Sequence, residues 1–205
     1  MSNGLIYING DNGKEYNLFP YPSWKHEDIL SDLNIQFGNF FKQNCNRCKV
    51  FGSNIGLFIG NRWARLQSIE SVRNTFKKQI LNNKQYDVSI SPDLMVICNF
   101  KAGDFDYRGY HGVPSIVVEI ASPSTSVDDL TWKKDIYEAI EVKEYWVISD
   151  VENVGIFRLI DGKYELFKYQ IEITQDSYPD ILEVPSALFE NLLIKFDNKM
   201  FKDFE

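Results

Sequence analysis

Two short apolar runs, each with a carboxylate, place the tightest constraint on how this chain can fold. Residues 94–98 read Leu-Met-Val-Ile-Cys directly after Asp93, and residues 115–121 read Ser-Ile-Val-Val-Glu-Ile-Ala around Glu119. Apolar runs of this length, rich in β-branched residues, predict buried strands. A carboxylate in such a place is costly unless it is paired, hydrogen-bonded or bound to a metal. The pattern therefore predicts two acidic groups on neighbouring strands, an arrangement suited to a divalent-cation site for phosphodiester hydrolysis.

A lysine on the following segment is the natural partner for these carboxylates. A helix is predicted over 128–141, and it carries one stripe at helical spacing, made of Leu130, Lys133, Tyr137 and Ile140. A lysine that points inward needs an anionic partner, and Glu119 or a substrate phosphate would serve. The alternative is a lysine whose stem packs while its amine reaches water. Lys134 diverges from Lys133 by about 100° on a helix, so we expect only Lys133 to face Glu119.

The residues of this region also carry a family resemblance. The matching positions are Pro92-Asp93-Leu94, Val118-Glu119-Ile120, Ser122-Pro123-Ser124-Thr125, Asp129, Lys133, Tyr137 and Glu144-Tyr145-Trp146. In order and spacing they resemble the Uma-two-type restriction endonucleases, bacterial proteins with a PD-(D/E)XK nuclease fold. The resemblance is clearest from about residue 90 to 160 and is fainter towards both ends, where it includes His26.

The resemblance implies an α/β fold with a restriction-endonuclease-like core, in which a central mixed β-sheet is flanked by α-helices. It implies a metal-dependent endonuclease that hydrolyses DNA, with Asp93, Glu119 and Lys133 as catalytic residues. Asp93, Glu119 and the backbone carbonyl of Ile120 would bind Mg²⁺ or Mn²⁺. The supporting residues would be Asp129, Tyr137 and His26. For His26 the alternative is a surface or capping histidine, and for Asp129 the alternative is a residue that only supports its helix.

Two departures from the family pattern favour a second interpretation. Ala121 stands where the nuclease motif has a lysine two residues after the glutamate, and no clear equivalent of an N-terminal glutamate is found. A net charge of −7 also argues against a broad nucleic-acid surface. The alternative function is a catalytically degenerate DNA-binding or regulatory protein with the same fold. A carboxylate-pair glycosidase is a third class, but no sugar cleft is evident from the sequence.

DNA binding requires positive charge somewhere in this acidic chain. The segment 61–86 is the most basic, and we interpret it as a helical insertion. Its candidate DNA-binding residues are Arg73, Lys77 and Lys78. The competing interpretation is a solvated helix face. Symmetric cleavage of duplex DNA would favour a homodimer.

Length and composition bound the remaining expectations. A chain of 205 residues fits a single domain, here 1–205, with an N-terminal hairpin in 1–20. No apolar run is long enough to cross a membrane, and no signal peptide is visible, so we expect a cytoplasmic protein. Three cysteines, an odd number, then indicate reduced thiols. Ser23 should cap a first helix that ends near Gln43, and Ser186 should cap a short last helix that ends near Leu192.

Overall fold

The computed structural model describes residues 7–9, 15–17, 23–59, 66, 68–70, 89–121, 129–149, 154–170 and 181–197. These residues form an α/β structure of mixed and antiparallel sheets with a few helices. The strands are β1 Tyr7–Asn9, β2 Glu15–Asn17, β3 Cys48–Gly52, β4 Gly56–Phe58, β5 Ser89–Ile90, β6 Leu94–Cys98, β7 Gly109–Tyr110, β8 Ile116–Ala121, β9 Glu144–Ser149, β10 Val154–Ile160, β11 Lys163–Gln170, β12 Ile181–Pro185 and β13 Leu193–Asp197. The helices are α1 Trp24–Asn44, a 3₁₀ turn Ala102–Asp104, a π-helix Asp129–Lys133 and α2 Lys134–Ala139.

A six-stranded mixed sheet forms the centre of the molecule, as predicted. Its strand order is β11-β10-β9-β8-β6-β3. Strands β8 and β9 are parallel, and the other neighbours are antiparallel. Every residue of β8 is buried, and so are the first four of β6. The two apolar runs therefore form the covered strands that their sequences predict, and they lie next to each other.

Helix α1 covers one face of this sheet. Ser23 caps it as predicted, since its hydroxyl accepts a hydrogen bond from the His26 backbone N–H at 3.1 Å. The helix buries a stripe at three- and four-residue spacing against the sheet: Ile29, Leu30, Leu33, Phe37 and Phe41. Residues 116, 118 and 120 of β8 belong to the same core. Helix α2 packs on the opposite face, with residues 117 and 121 of β8 and the small sheet β5-β4-β7.

Short-range antiparallel pairing forms the expected N-terminal hairpin and a second hairpin over residues 154–170. Strands β1 and β2 pair in antiparallel fashion within the expected N-terminal segment. Strands β10 and β11 are joined by Asp161 and Gly162, which have φ angles of 49° and 80°. Positive φ at both positions is what a type I′ hairpin turn requires, which explains the Asp-Gly dipeptide.

The predicted last helix is wrong. After β12 the chain turns at Ser186, whose hydroxyl accepts hydrogen bonds from the backbone N–H groups of Leu188 and Phe189 at 3.1 and 3.0 Å. It then continues into β13, which pairs with β12. A serine satisfies free N–H groups in a turn as well as at a helix start, so the capping pattern alone did not separate the two.

A buried carboxylate of the sheet, Glu144, forms hydrogen bonds with the turn at Ser186. This residue accepts hydrogen bonds from Trp146 Nε1 at 2.6 Å, from Ser186 Oγ at 2.8 Å and from the Leu188 N–H at 2.8 Å. Burial raises the pKa of Glu144 above its ordinary value, although these donors act in the opposite direction. Glu144 therefore attaches the C-terminal hairpin to β9.

The prediction of reduced thiols is wrong for two of the three cysteines. Cys48 and Cys98 face each other in the pairing of β3 with β6 and form a disulfide. Cys45 lies outside this bond, with its Sγ 3.2 Å from Cys48 Sγ. The two sulfurs are brought together by the register in which β3 pairs with β6. An odd number of cysteines in the sequence carries no information on that register. In the described ranges no helix has both the length and the apolar character needed to span a membrane.

Candidate active site

The end of β6 brings Asp93 to the second half of β8. The register of β6 with β8 runs from Val96↔Ile116 to Leu94↔Val118, and then the chain before β6 bends away. This bend leaves the Ile120 N–H without a strand partner on that side, and a buried N–H needs an acceptor. Asp93 Oδ2 supplies it at 2.7 Å. The Asp93 carboxylate therefore lies against the peptide bond that joins Glu119 to Ile120.

Glu119 is a fully buried carboxylate with two strong partners. Alternation along β8 places it on the face that α2 covers, and its side chain is 1% exposed. Lys133 Nζ lies 3.0 Å from Glu119 Oε2, and the Tyr137 hydroxyl donates to Glu119 Oε1 at 2.5 Å. A buried charge is tolerated when it is paired and hydrogen-bonded in this way.

The segment that carries these partners begins as a π-helix. The predicted helix over 128–141 is observed as a π-helix from Asp129 to Lys133 that leads into α2. Lys133 and Tyr137 are four residues apart and reach the same carboxylate, as neighbours on a helix face should. Lys134 points elsewhere, and its amine lies 4.5 Å from the centre of the Phe157 ring. The expectation that Lys133 and not Lys134 faces Glu119 therefore agrees with the geometry.

His26 approaches Asp93 from the other face of the sheet. Ser23 holds it in the first turn of α1, and His26 Nε2 lies 3.2 Å from Asp93 Oδ1. Burial lowers the pKa of His26, but the hydrogen bond and charge of Asp93, with a smaller contribution from Glu27, raise it above its ordinary value overall. Its Nδ1 is buried and makes no hydrogen bond within the described part of the chain, although Glu27 Oε1 lies 3.5 Å away.

The family of the chain follows from a comparison with known protein families. The model of the Uma2 family, described as "Putative restriction endonuclease", matches residues 11–188. This match spans most of the chain. The chain belongs to the Uma2 family.

A solved structure shares the fold of this Uma2 chain. It is described as "a putative nuclease belonging to DUF820 from Anabaena variabilis ATCC 29413". The TM-score is 0.55 at 17% identity, and the match covers 92% of this chain and 86% of the other. At this identity the likeness establishes the restriction-endonuclease-like fold alone. Comparison with curated proteins gives no match.

The structure of this Uma2 chain brings five of the predicted site residues into two contacting groups, His26 with Asp93 and Glu119 with Lys133 and Tyr137. The Asp93–Ile120 hydrogen bond joins the two groups. The sequence does not by itself predict the direct contact of Tyr137 with Glu119, because a tyrosine in an apolar stripe is usually a packing residue. Its four-residue spacing from Lys133 was the available signal.

Four other predicted site residues of this Uma2 chain lie, in whole or in their side chain, outside the described part of the structure. Asp129 begins the π-helix, but its side chain is not among the described ones. The predicted DNA-binding residues Arg73, Lys77 and Lys78 lie outside the described residues, as does most of the basic segment 61–86.

The donor set of this Uma2 site suits a hard divalent cation. Mg²⁺ and Mn²⁺ prefer oxygen ligands, and Mg²⁺ usually binds through one or two carboxylates while it keeps several waters. Asp93 and Glu119 supply carboxylates. In an extended strand the N–H and C=O of one residue point to the same side, so the Ile120 carbonyl faces the side on which Asp93 lies. Among the described residues no cluster of three or more His, Cys, Asp and Glu side chains could hold a metal.

Proposed function

We propose that the protein is a metal-dependent endonuclease that hydrolyses phosphodiester bonds in DNA. Membership of the Uma2 family, described as "Putative restriction endonuclease", supports a nuclease. The observation that carries the proposal is the pair of linked carboxylates with a lysine beside them. Asp93 is hydrogen-bonded at 2.7 Å to the residue after Glu119, and Lys133 Nζ lies 3.0 Å from Glu119.

In this proposal Asp93, Glu119 and the Ile120 carbonyl hold Mg²⁺ or Mn²⁺. A cation bound there would polarise the phosphate and lower the pKa of the attacking water. Asp93 is oriented by two contacts, the Ile120 N–H and His26 Nε2. The Tyr137 hydroxyl fixes the orientation of the Glu119 carboxylate.

Lys133 takes the place of the lysine that β8 lacks. A lysine at position 121 would share the face of Glu119, since the two positions are two residues apart on one strand. Ala121 occupies that position, and Lys133 reaches the same carboxylate from the helical segment instead. The Lys133 side chain is 20% exposed, so it can also face a phosphate at the edge of the site. There it would stabilise the negative charge that develops in the transition state.

Matched lysine variants test the proposed chemistry. With purified protein, Mg²⁺ or Mn²⁺, and supercoiled, linear duplex and single-stranded DNA, we expect the parent to cleave at least one form. Lys133→Met should lower the cleavage rate by about 10²–10³, the value of one donor to a developing anion. Lys134→Met should have little effect. Equal rates for the two variants would remove Lys133 from the mechanism.

The second candidate function is a DNA-binding or regulatory protein that has lost catalysis. Two observations favour it: Ala121 stands in the lysine position, and both Glu119 oxygens are already engaged by Lys133 and Tyr137. Calorimetric titration with Mn²⁺ separates the two functions. The nuclease requires binding that Asp93→Asn and Glu119→Gln each weaken. DNA binding without such metal binding, and without cleavage of any DNA form, would establish the degenerate protein.

Assembly and location belong to the same proposal. A nuclease that cuts both strands of a duplex symmetrically is served by a two-fold dimer. We therefore propose a homodimer on duplex DNA in the cytoplasm. Sedimentation with and without a DNA duplex tests the dimer, and a monomer on DNA that is cut in both strands would exclude it.

A further inference from the structure

The three cysteines meet at the end of the sheet remote from Asp93. Cys48 and Cys98 form the disulfide between β3 and β6, and Cys45 Sγ lies 3.2 Å from Cys48 Sγ. Asp93 immediately precedes β6 and Cys98 ends it, so the two positions are separated by about 16 Å at the usual rise of a strand. The cluster is therefore distinct from the candidate active site.

A short turn fixes the position of Cys45. The Cys45 N–H ends α1 by donating to the Phe41 carbonyl at 2.9 Å, and the Cys48 N–H donates back to the Cys45 carbonyl at 3.2 Å. These bonds hold the side chains of Cys45 and Cys48 together at the junction of α1 and β3. Cys48 is buried, whereas Cys45 and Cys98 are both half-buried. Two of the three cysteine residues are therefore partly accessible to a small thiol in solution.

We propose that Cys45, Cys48 and Cys98 form a thiol–disulfide exchange site in which Cys45 is the attacking group. The Cys45 thiol gives its proton to water, and the thiolate attacks Cys48 Sγ. The Cys45–Cys48 bond forms as the Cys48–Cys98 bond breaks. The electron pair leaves on Cys98 Sγ, which then takes up a proton. The step is an isomerisation, so it needs no oxidant or reductant.

Full reduction of either isomer takes two electrons from a thiol reductant such as glutathione, which is oxidised to its own disulfide. Two molecules of the reductant supply the electrons and protons through a mixed disulfide, and three cysteine thiols remain. The site thus has three covalent states: the Cys48–Cys98 bond, the Cys45–Cys48 bond and the reduced form.

The two disulfide isomers join different parts of the chain. The Cys48–Cys98 disulfide links β3, an edge strand of the six-stranded sheet, to β6 across a sequence separation of 50. The Cys45–Cys48 bond would close only a short turn and leave β3 attached by hydrogen bonds. A disulfide that closes a longer loop constrains the unfolded chain more. The exchanged isomer should therefore unfold at a lower temperature.

Disulfide mapping of the full chain tests the proposal. The protein is equilibrated in buffers of graded reduced-to-oxidised glutathione ratio, quenched with acid, alkylated and digested with trypsin. Arg47 lies between Cys45 and Cys48, so cleavage there places the two cysteines on different peptides. The two disulfides then have different masses. We expect the wild type to contain both isomers and Cys45→Ser to contain only the Cys48–Cys98 bond.

Cys98→Ser provides the decisive comparison. It removes the cross-strand bond, and the proposal requires a Cys45–Cys48 disulfide at glutathione ratios that oxidise the wild type. Circular dichroism confirms that the variant is folded. If it does not fold, the wild-type isomers and the Cys45→Ser control decide the matter alone. A wild type that contains only the Cys48–Cys98 disulfide at every ratio would overturn the proposal, as would a folded Cys98→Ser that keeps two free thiols.

Discussion

The ion pair between Lys133 and Glu119 makes a prediction about stability that does not depend on catalysis. Lys133→Met keeps most of the length of the side chain and removes its charge, which leaves a carboxylate that is 1% exposed without its cation. Removal of one partner of a buried pair typically costs about 3–5 kcal/mol. Because Lys133 itself is 20% exposed and the Tyr137 hydroxyl still donates to Glu119, we expect about 2–3 kcal/mol.

Urea unfolding in the presence of EDTA measures this cost without interference from bound cations. The control is Lys134→Met, which loses the contact with the Phe157 ring, a contribution of about 0.5–1 kcal/mol, and a weak attraction to the Glu138 carboxylate. The double variant Lys133→Met with Glu119→Gln should be more stable than the sum of the single changes implies, since a neutral amide no longer needs the cation. Strict additivity, or a Lys133→Met variant as stable as the control, would refute the reasoning.

Three further predictions concern other parts of the chain. Gly109→Ala should lower the free energy of unfolding, measured in urea, by about 3 kcal/mol, since a Cβ there would overlap the backbone of Gly56 in the neighbouring strand. The control is Gly103→Ala, which has open space around the new Cβ and should change the free energy of unfolding by less than about 0.5 kcal/mol. Glu144→Gln should cost about 1–3 kcal/mol, because one amide oxygen cannot accept from both N–H donors. Burial raises the pKa of Glu144, so the stability that protonated Glu144 contributes is complete below the unfolded pKa of about 4.3 and is lost as pH rises through the folded pKa. The thermal midpoint of the wild type, measured relative to that of Glu144→Gln, should therefore fall over this pH range. A difference between the two midpoints that stays constant with pH would contradict this. Replacement of the three predicted DNA-contact residues, Arg73, Lys77 and Lys78, by Glu should weaken DNA binding and flatten its dependence on salt concentration. An unchanged salt slope would leave these residues as a solvated face.

The elements that could be predicted from the sequence are those whose signal lies within one local run. The β-branched run around Glu119 can be buried on both faces only as an inner strand, and it is one. The 3.6-residue period after Ser23 specifies α1 within one residue of its observed end. The Asp161-Gly162 dipeptide specifies the turn between β10 and β11, because both positions need positive φ.

The features that could not be predicted depend on which distant segments meet. The Cys48–Cys98 disulfide exists because β3 pairs with β6 in one particular register. The contact of His26 with Asp93 depends on the face of the sheet to which α1 attaches. The hydroxyl of Ser186 can satisfy the N–H groups of a turn or of a helix, and the buried Glu144 beneath it favours the turn. None of these choices is encoded in local periodicity.

The parallel pairing of β8 with β9 has a consequence for the order in which the site assembles. The crossover between these strands contains the helical segment with Lys133 and Tyr137, which contact Glu119 across sequence separations of only 14 and 18. The Asp93–Ile120 bond spans 27 residues, and His26 joins from a helix much farther back in the chain. Shorter loops lose less entropy on closing, so the Glu119 half of the site should form early, within one supersecondary unit. The Asp93–His26 half should be completed only when α1 docks, which makes that docking the last structural step before the site is whole.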